Sequence, residues 1–310
     1  MALGLGVGSA RLKLFRAGVL INTQMRLHLT METYRMGHRK SARVARTLTL
    51  ATVLLALSGC LASTQQEVDM GDQYAAQVAQ QLPIVQDPEV SRYIKVLGDS
   101  LASVSDDRNL KWTFMVIDQA EINAFAVPGG HIYVYRGLIE KTANLSELAG
   151  VVGHEIAHVT QRHSIHQMRD QQLANIGVTV GCIFAPSVCG NQAGGAAINV
   201  LAGAGFAKFS RDDEAEADRM GVKFVTRAGL DPRGMPSMFR TLIAERKARP
   251  GAVDNFFASH PVEESRVKAT EEEIAKIDPV ILASLTRDSR GYQAFKTRLA
   301  GLPRTRAVTR

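Results

Sequence analysis

The chain carries the sequence LSELAGVVGHEIAHVTQRH at residues 145–163. Leucine, valine and isoleucine recur in this stretch at steps of three and four residues, which is the spacing of one buried face of an α-helix. Ser146 is the predicted N-cap, and Glu147 suits the first helical turn. No proline occurs between Lys141 and Ala185 to interrupt the helix. The stretch therefore predicts a half-buried helix that is rigid enough to hold a site.

Two histidines and a glutamate on this helix form an HExxH pattern. His154 and His158 are four residues apart, so they lie one above the other on one helical face. Both imidazoles can then reach one zinc ion, with Glu155 beside the open position of the metal. The pattern predicts the core of a zinc hydrolase. A surface helix with incidental histidines is the alternative interpretation of the pentapeptide alone.

A third protein ligand is expected from elsewhere, because catalytic zinc usually has three and keeps a fourth position for water or substrate. The segment SRDDEAEAD at residues 210–218 places Glu214 and Asp218 four residues apart on one helical face. Glu214 is the candidate ligand, and Asp218 would orient a ligand histidine. Spacing alone leaves Glu216 open as the ligand, and it also leaves open a solvated acidic helix.

Four segments, taken together, resemble a known family. They are NAFAVPGGHIYVYRG at 123–137, HEIAHVTQRH at 154–163, the acidic segment at 210–218, and Ser259-His260-Pro261 followed by Arg266. The chain resembles the zinc metallopeptidases related to HtpX and the CAAX prenyl proteases, especially the soluble periplasmic BepA/LoiP-type members, in a short form without their helical-repeat domain. The resemblance selects Glu214 as third ligand and implies one zinc ion per chain.

The resemblance also implies a fold, an α+β and mostly helical zincin-like domain with a small β-sheet whose edge strand flanks the active site. The substrate strand is expected at Gly130, His131, Ile132, Tyr133 and Val134, a β-rich run after a Pro-Gly-Gly turn. An edge strand there would pair with extended substrate by β-augmentation. An ordinary hairpin strand is the alternative, and His131 is expected to be structural rather than a ligand.

Two residues are the catalytic candidates. Glu155 is the predicted general base, which takes a proton from the attacking water and delivers it to the leaving amine. His260 is assigned by the resemblance, because the corresponding histidine of the relatives can approach zinc. That implies a switch or a transition-state role for His260. A histidine fixed by the backbone of a loop before proline is the alternative.

The N-terminal residues 1–59 resemble a leader with a lipoprotein signal peptide, and Met36 is an alternative start. Residues 39–46 are basic, and residues 48–57 are apolar but too few to span a bilayer. The sequence Leu57-Ser58-Gly59-Cys60 resembles a bacterial lipobox, so Cys60 is the predicted lipidation site. Leu61, and not an aspartate, follows Cys60. By resemblance to the sorting of bacterial lipoproteins, this favours the outer membrane, facing the periplasm. An ordinary signal peptide with an incidental cysteine is the alternative.

The charge of the chain is concentrated in that leader. The formal net charge is +7, but residues 1–59 hold 9 of the 37 Lys and Arg and 1 of the 30 Asp and Glu. Residues 60–310 are therefore close to neutral, which argues against a nucleic-acid partner. The predicted organisation is a metallopeptidase domain at 60–275 and a C-terminal helical segment and tail at 276–310.

The Gly- and Ala-rich run from Ile176 to Phe206 is predicted to form a helical hairpin that covers the active site. It contains Cys182 and Cys189, which an oxidising periplasm would allow to form a disulfide. A pair of free, buried thiols is the alternative.

The function implied by the resemblance is that of a membrane-tethered zinc endopeptidase. It would cleave unfolded or misfolded polypeptides, among them outer-membrane proteins handled by their assembly machinery. A chaperone or assembly factor with a largely autoinhibited zinc site is the second hypothesis. A purely structural zinc site is a third, but such a site has no use for a glutamate base beside the metal.

Overall fold

The computed structural model describes residues 62–171, 208–249 and 251–304. Four of the predictions concern residues outside these ranges: the leader 1–59, the lipidation of Cys60, the hairpin at 176–206 and the disulfide between Cys182 and Cys189. They remain predictions.

Helices dominate the described residues, as predicted. The strands are β1 (Thr113–Ile117), β2 (Ala124–Val127) and β3 (His131–Tyr135). The helices are α1 (Thr64–Gln81), α2 (Pro88–Ala102), α3 (Arg136–Lys141), α4 (Leu145–Thr160), α5 (Arg211–Arg227), α6 (Gly234–Ala248), α7 (Asp254–Ser259), α8 (Glu264–Ile274), α9 (Pro279–Ser284) and α10 (Arg290–Gly301). Residues 163–171 are also helical. Among the described helices, none has both the length and the hydropathy that crossing a bilayer would need.

The sheet has the strand order β1-β3-β2. β3 pairs in parallel with β1 and antiparallel with β2, so it has a neighbour on both sides. The prediction that residues 130–134 form an edge strand for substrate is therefore wrong, because the backbone groups on both sides of β3 face other strands. β1 is bordered on its other side by residues 83–85, where Val85 N donates to Val116 O at 2.8 Å. The edge strand beside the central helix is β2, which contacts α4.

Alternation along β3 assigns its side chains to two hydrophobic clusters. Ile132 and Val134 join the large core around α4, whereas Tyr133 and Tyr135 join a smaller cluster with Val78 of α1. Opposite faces of a strand carry alternate residues, so β3 separates two apolar layers. The sheet is thus buried on both faces and gives α4 a fixed support.

The central helix α4 is buried from Leu145 to Val159, which is more than the half-buried helix expected. The neighbours α2, α5, α6 and β2 contact it from different directions. Its N-cap is Asn144, whose side chain accepts from Glu147 N at 3.2 Å. The prediction of Ser146 as N-cap is wrong, because the helix starts earlier and the Ser146 hydroxyl donates to Asn144 Oδ1 at 2.7 Å.

The crossing of α6 over the start of α4 depends on Gly234. A Cβ at this position would lie 2.2 Å from the carbonyl carbon and oxygen of Ser146, which are backbone atoms that cannot move aside. We expect Gly234→Ala to lower the free energy of unfolding by about 2 to 3 kcal/mol, the upper part of the usual range for overpacking. Urea unfolding would measure it. Gly301→Ala is the matched control, because nothing lies within 4 Å of its Cβ. Equal stability of the two variants would contradict the close crossing.

A buried acidic residue of α1 fixes the C-terminal end of α4. Glu67 is 0% exposed, and its Oε2 accepts from Arg108 Nη1 and from Arg162 Nε, both at 2.9 Å. Arg108 also donates to Val159 O at 2.9 Å, which satisfies a carbonyl of the last turn of α4. This Glu67 cluster (Glu67, Arg108 and Arg162) thus connects the first described helix to the end of the central one.

The last helix, α10, packs into the same core. Its Tyr292, Phe295 and Leu299 are buried against α2 and α3. The buried Arg136 donates to Leu302 O at 2.9 Å and pairs with Asp118 at the same distance. The domain boundary at 275 remains a prediction.

Candidate metal centre

Four buried side chains converge beside the middle of α4. His154 and His158 come from α4, Glu214 from α5, and His260 from the residue after α7. Each offers one ligand atom, and these atoms all lie within 4.8 Å of one another. The structure therefore brings together the three predicted ligands and His260, which are separated by as many as 106 positions in the chain.

The distances within the cluster suit a single ion bound by nitrogen and oxygen. His158 Nε2 lies 3.0 Å from His154 Nε2 and 3.3 Å from Glu214 Oε1. His260 Nδ1 lies 3.0 Å from the same carboxylate oxygen. Imidazole nitrogens and carboxylate oxygens are the usual donors to zinc, and four of them make a tetrahedral set. The residues present therefore fit a zinc ion.

Glu155 lies beside the cluster. It is 1% exposed, and neither carboxylate oxygen has a hydrogen-bond partner within the described residues. Its Oε1 lies 3.5 Å from His260 Nε2. Burying a carboxylate costs free energy unless a partner compensates its charge. The position of Glu155 beside a set of metal donors therefore suits a site that holds a cation and handles protons.

The electrostatics of His158 and Glu214 favour the forms that bind metal. Burial lowers the pKa of His158 well below its ordinary value, although Glu214 opposes this, so the ring stays neutral. Burial alone would raise the pKa of Glu214, but His260, His158 and His154 outweigh it and hold that pKa well below its usual range. Burial alone would lower the pKa of His260, but Glu214 and Glu155 outweigh it and raise that pKa. A neutral imidazole and an ionised carboxylate are the forms that coordinate zinc.

Asp218 and Arg266 lie directly behind the cluster. Asp218 Oδ1 is 3.0 Å from His154 Nδ1. Arg266 donates to both oxygens of Asp218, at 2.8 and 2.7 Å, and also to Glu214. Burial alone would raise the pKa of Asp218, but Arg266 and His154 outweigh it and lower that pKa. Asp218 therefore lies where the sequence analysis placed it, beside a cluster histidine.

Arg266 and His163 have no role that sequence reasoning assigns. Arg266 belongs to one of the sequence motifs, which gives it no role. It lies on α8, far along the chain from Glu214. His163 contacts His158, at 2.9 Å between their Nδ1 atoms. These two histidines are five positions apart, which is not a spacing that places side chains together on a helix. Phe209 stacks on the ring of His158, at 3.9 Å between ring centroids.

The residues predicted to form the substrate strand lie apart from the cluster. His131 Nδ1 is 2.9 Å from Thr113 Oγ1, and His131 Nε2 is 3.2 Å from Asp72 Oδ1. His131 is therefore held by β1 and α1, as expected for a structural histidine. Burial lowers the pKa of His131 against the opposing effect of Asp72.

A cavity opens beside Glu214, between α5 and α8. Its volume is about 430 Å³, and Asp218 and Arg266 line it together with small side chains such as Ala215 and Ala269. It is large enough for one side chain of a polypeptide.

Comparison with known proteins places this site in a family. The chain matches the family model described as peptidase family M48 over residues 84–274, more than half of its length. It is 34% identical over 252 residues to the beta-barrel assembly-enhancing protease of Escherichia coli (strain K12), covering 79% of this chain and 50% of that protein. The chain thus spans about half the length of the first curated relatives that it matches.

Two further relatives are more distant. The metalloprotease YcaL of Escherichia coli (strain K12) is 28% identical over 210 residues, covering 67% of this chain and 76% of that protein. The mitochondrial metalloendopeptidase OMA1 of Schizosaccharomyces pombe is 29% identical over 184 residues, covering 59% of this chain and 51% of that protein. The family match contains all four residues of the buried cluster, and the chain belongs to peptidase family M48.

Proposed function

We propose that this chain is a zinc endopeptidase that is tethered to a bacterial membrane and cleaves unfolded or misassembled envelope proteins. The observation that supports the chemistry best is the buried cluster of two α4 histidines, Glu214 and His260, with the buried carboxylate of Glu155 beside it, 3.5 Å from His260 Nε2. One zinc ion per chain would be held by His154, His158 and Glu214.

Each residue in and beside the cluster has a separate role in peptide hydrolysis. Zinc, when bound, makes water a better nucleophile near neutral pH and polarises the scissile carbonyl. Glu155 takes a proton from the attacking water and delivers it to the leaving amine. Asp218 orients His154, and Arg266 holds Asp218 and Glu214 in place from behind. Burial of these groups limits the access of other water to the proton transfer.

The substrate is proposed to bind as an extended segment against β2. This strand lies at the outer side of the three-stranded sheet and beside α4, so it takes the place that residues 130–134 cannot. Pairing through backbone groups would bind polypeptides with little dependence on side chains.

Separate observations support the location and the substrates. The lipobox-like sequence ending at Cys60 supports a lipid anchor, with the outer membrane, facing the periplasm, as its location. The name of the 34% identical relative, a beta-barrel assembly-enhancing protease, supports outer-membrane proteins and their assembly machinery as partners.

One observation favours a second candidate function. His260 Nδ1 stands within the ligand cluster, 3.4 Å from His154 Nε2, so four protein donors surround the metal position. Catalytic zinc sites keep one position open, whereas closed sites have four protein ligands. This chain would then be a chaperone or assembly factor for outer-membrane proteins whose zinc site is largely autoinhibited.

The His260→Ala variant separates the two candidates. A site closed by His260 in nine molecules of ten would gain about tenfold in cleavage when that ligand is removed. The measurement is casein cleavage by a form that begins after Cys60, with bound zinc determined and with a chelator control. Cleavage by the wild type supports the endopeptidase, whereas cleavage by His260→Ala alone supports the autoinhibited form. If the wild type and His260→Ala both bind zinc but neither cleaves casein, the endopeptidase and the autoinhibited peptidase are both refuted.

A further inference from the structure

His163 makes a contact that neither the ligand set nor the general base requires. It is 2% exposed, and its Nδ1 lies 2.9 Å from Nδ1 of His158. Its other nitrogen, Nε2, lies 3.4 Å from Glu216 Oε2 on α5. His163 therefore lies between His158 of the cluster and Glu216, whose side chain is 45% exposed.

The backbone is shaped to allow this contact. In a continuous helix, residues five positions apart point about 140° away from each other. Here α4 ends at Thr160, and Arg162 adopts the left-handed conformation with a φ of 59° before helical residues resume at 163. A non-glycine residue in this conformation is uncommon and requires support from its surroundings. The Glu67 cluster supplies that support, since Glu67 accepts from Arg162 Nε.

The hydrogen-bonding roles follow from which nitrogen faces the metal position. His158 presents Nε2 to the cluster, so its proton belongs on Nδ1. His163 Nδ1 must then be the acceptor, which places the proton of His163 on Nε2, toward Glu216. A ligand histidine whose second nitrogen donates to a partner has a fixed ring orientation and a more basic ligating nitrogen.

We propose that His163 is a positioning residue for the metal ligand His158, and that Glu216 selects the His163 tautomer that accepts the His158 proton. The proposal rests on the zinc site proposed above. It gives Glu216, which the sequence analysis left as an alternative ligand, a place in the site without contact to the metal. The two α4 histidines would then be oriented by different means, His154 by a carboxylate and His158 by a second imidazole.

The zinc dissociation constant tests the proposal without depending on catalysis. It would be measured by competition with a chromophoric chelator, and urea unfolding of the metal-free proteins would report folding separately. We expect His163→Leu to weaken zinc binding by about 10- to 100-fold, the range found when partners of ligand histidines are removed. His163→Asn should stay within about threefold of wild type, because the asparagine carbonyl oxygen can stand near the position of Nδ1 and accept the same proton.

A matched control lies one turn further along. His166 is in the same helical segment and is not buried, so His166→Leu makes the same chemical change away from the site. If His163→Leu fails to fold, His163→Gln replaces it in the comparison with His163→Asn. The glutamine amide lies one bond further from the backbone than the asparagine amide, so the His163→Gln variant should bind zinc more weakly than the His163→Asn variant.

Two outcomes would overturn the positioning role. One is wild-type zinc affinity in the folded His163→Leu variant. The other is an equal loss of affinity in the asparagine and leucine variants, which would mean that packing rather than the acceptor matters. A wild-type protein that binds no zinc would instead refute the proposed function itself.

Discussion

The Glu155→Gln variant is expected to keep its zinc and to lose cleavage of unfolded protein by about 10³-fold or more. Positioned acid–base groups contribute about 10² to 10⁴-fold to such reactions, and glutamine cannot accept the proton from water. Glu155 is next to a predicted ligand in sequence, yet neither of its oxygens belongs to the converging ligand atoms. The metal content should therefore stay near one ion per chain. Casein cleavage and zinc determination on the same preparation measure both quantities.

The control for this result is Glu264→Gln, the same chemical change at an exposed position of α8. It should leave both cleavage and zinc content unchanged. If Glu155→Gln retained more than a tenth of the wild-type rate, the general base would have to be another residue. If it lost zinc together with cleavage, Glu155 would be acting as a ligand.

Replacement of Arg266 by methionine is expected to cause the largest loss of folding stability, about 3 to 5 kcal/mol in the metal-free protein. Arg266 is a largely buried cation, with 12% of its side chain exposed, and it faces the buried carboxylates of Glu214 and Asp218. Its removal leaves both carboxylates without a compensating charge. The Arg266 guanidinium lies over the ring of Phe239, 4.7 Å from its centroid. A methionine side chain can keep this apolar contact with Phe239. Urea unfolding of the metal-free proteins is the measurement.

Acid should reduce this difference between the variant and the wild type. Arg266 and the histidines keep the pKa values of Asp218 and Glu214 low, so their contribution to stability is present at neutral pH and lost as the pH falls through the folded pKa values. Without Arg266, burial raises the pKa of Asp218, and protonation of that carboxylate then relieves the variant as the pH falls. A difference that is independent of pH would mean that lost packing, and not charge, destabilises the variant.

Arg240→Met is the matched control for Arg266→Met. Arg240 pairs with Glu271, but both side chains are about half exposed, at 53% and 48%. Exposed ion pairs contribute about 0 to 1 kcal/mol, so this variant should unfold almost as the wild type does. A comparable loss in both variants would show that the burial of Arg266 has no special consequence.

The sequence predicted the local features of the site well, because these depend on spacing within one helix. The pairs His154–His158 and Glu214–Asp218 each have the four-residue spacing that places side chains on one face. Both pairs point toward the same cluster in the structure. The resemblance added His260, which no spacing could have connected to α4.

The features that sequence reasoning missed are those that depend on the arrangement of elements. The segment 130–134 has the composition of a β-strand, and the resemblance implied that it lies at the edge. Whether a strand is central depends on which other strands pair with it, and β1 lies well before it in the chain. His163 could not be connected to His158 by helical periodicity, since the connection requires the left-handed turn at Arg162. Arg266 acts through the packing of α8 on α5, which no local pattern reports.

The Glu67 cluster has a practical consequence for work with shortened forms of the protein. The segment that matches the family begins at residue 84, so a fragment cut at that border would discard Glu67 and leave Arg108 and Arg162 without their shared carboxylate. The end of α4 would lose its anchor although every cluster residue was still present. Weak metal binding by such a fragment would then reflect the missing anchor rather than the ligands themselves. The smallest informative fragment therefore starts before α1, at residue 62.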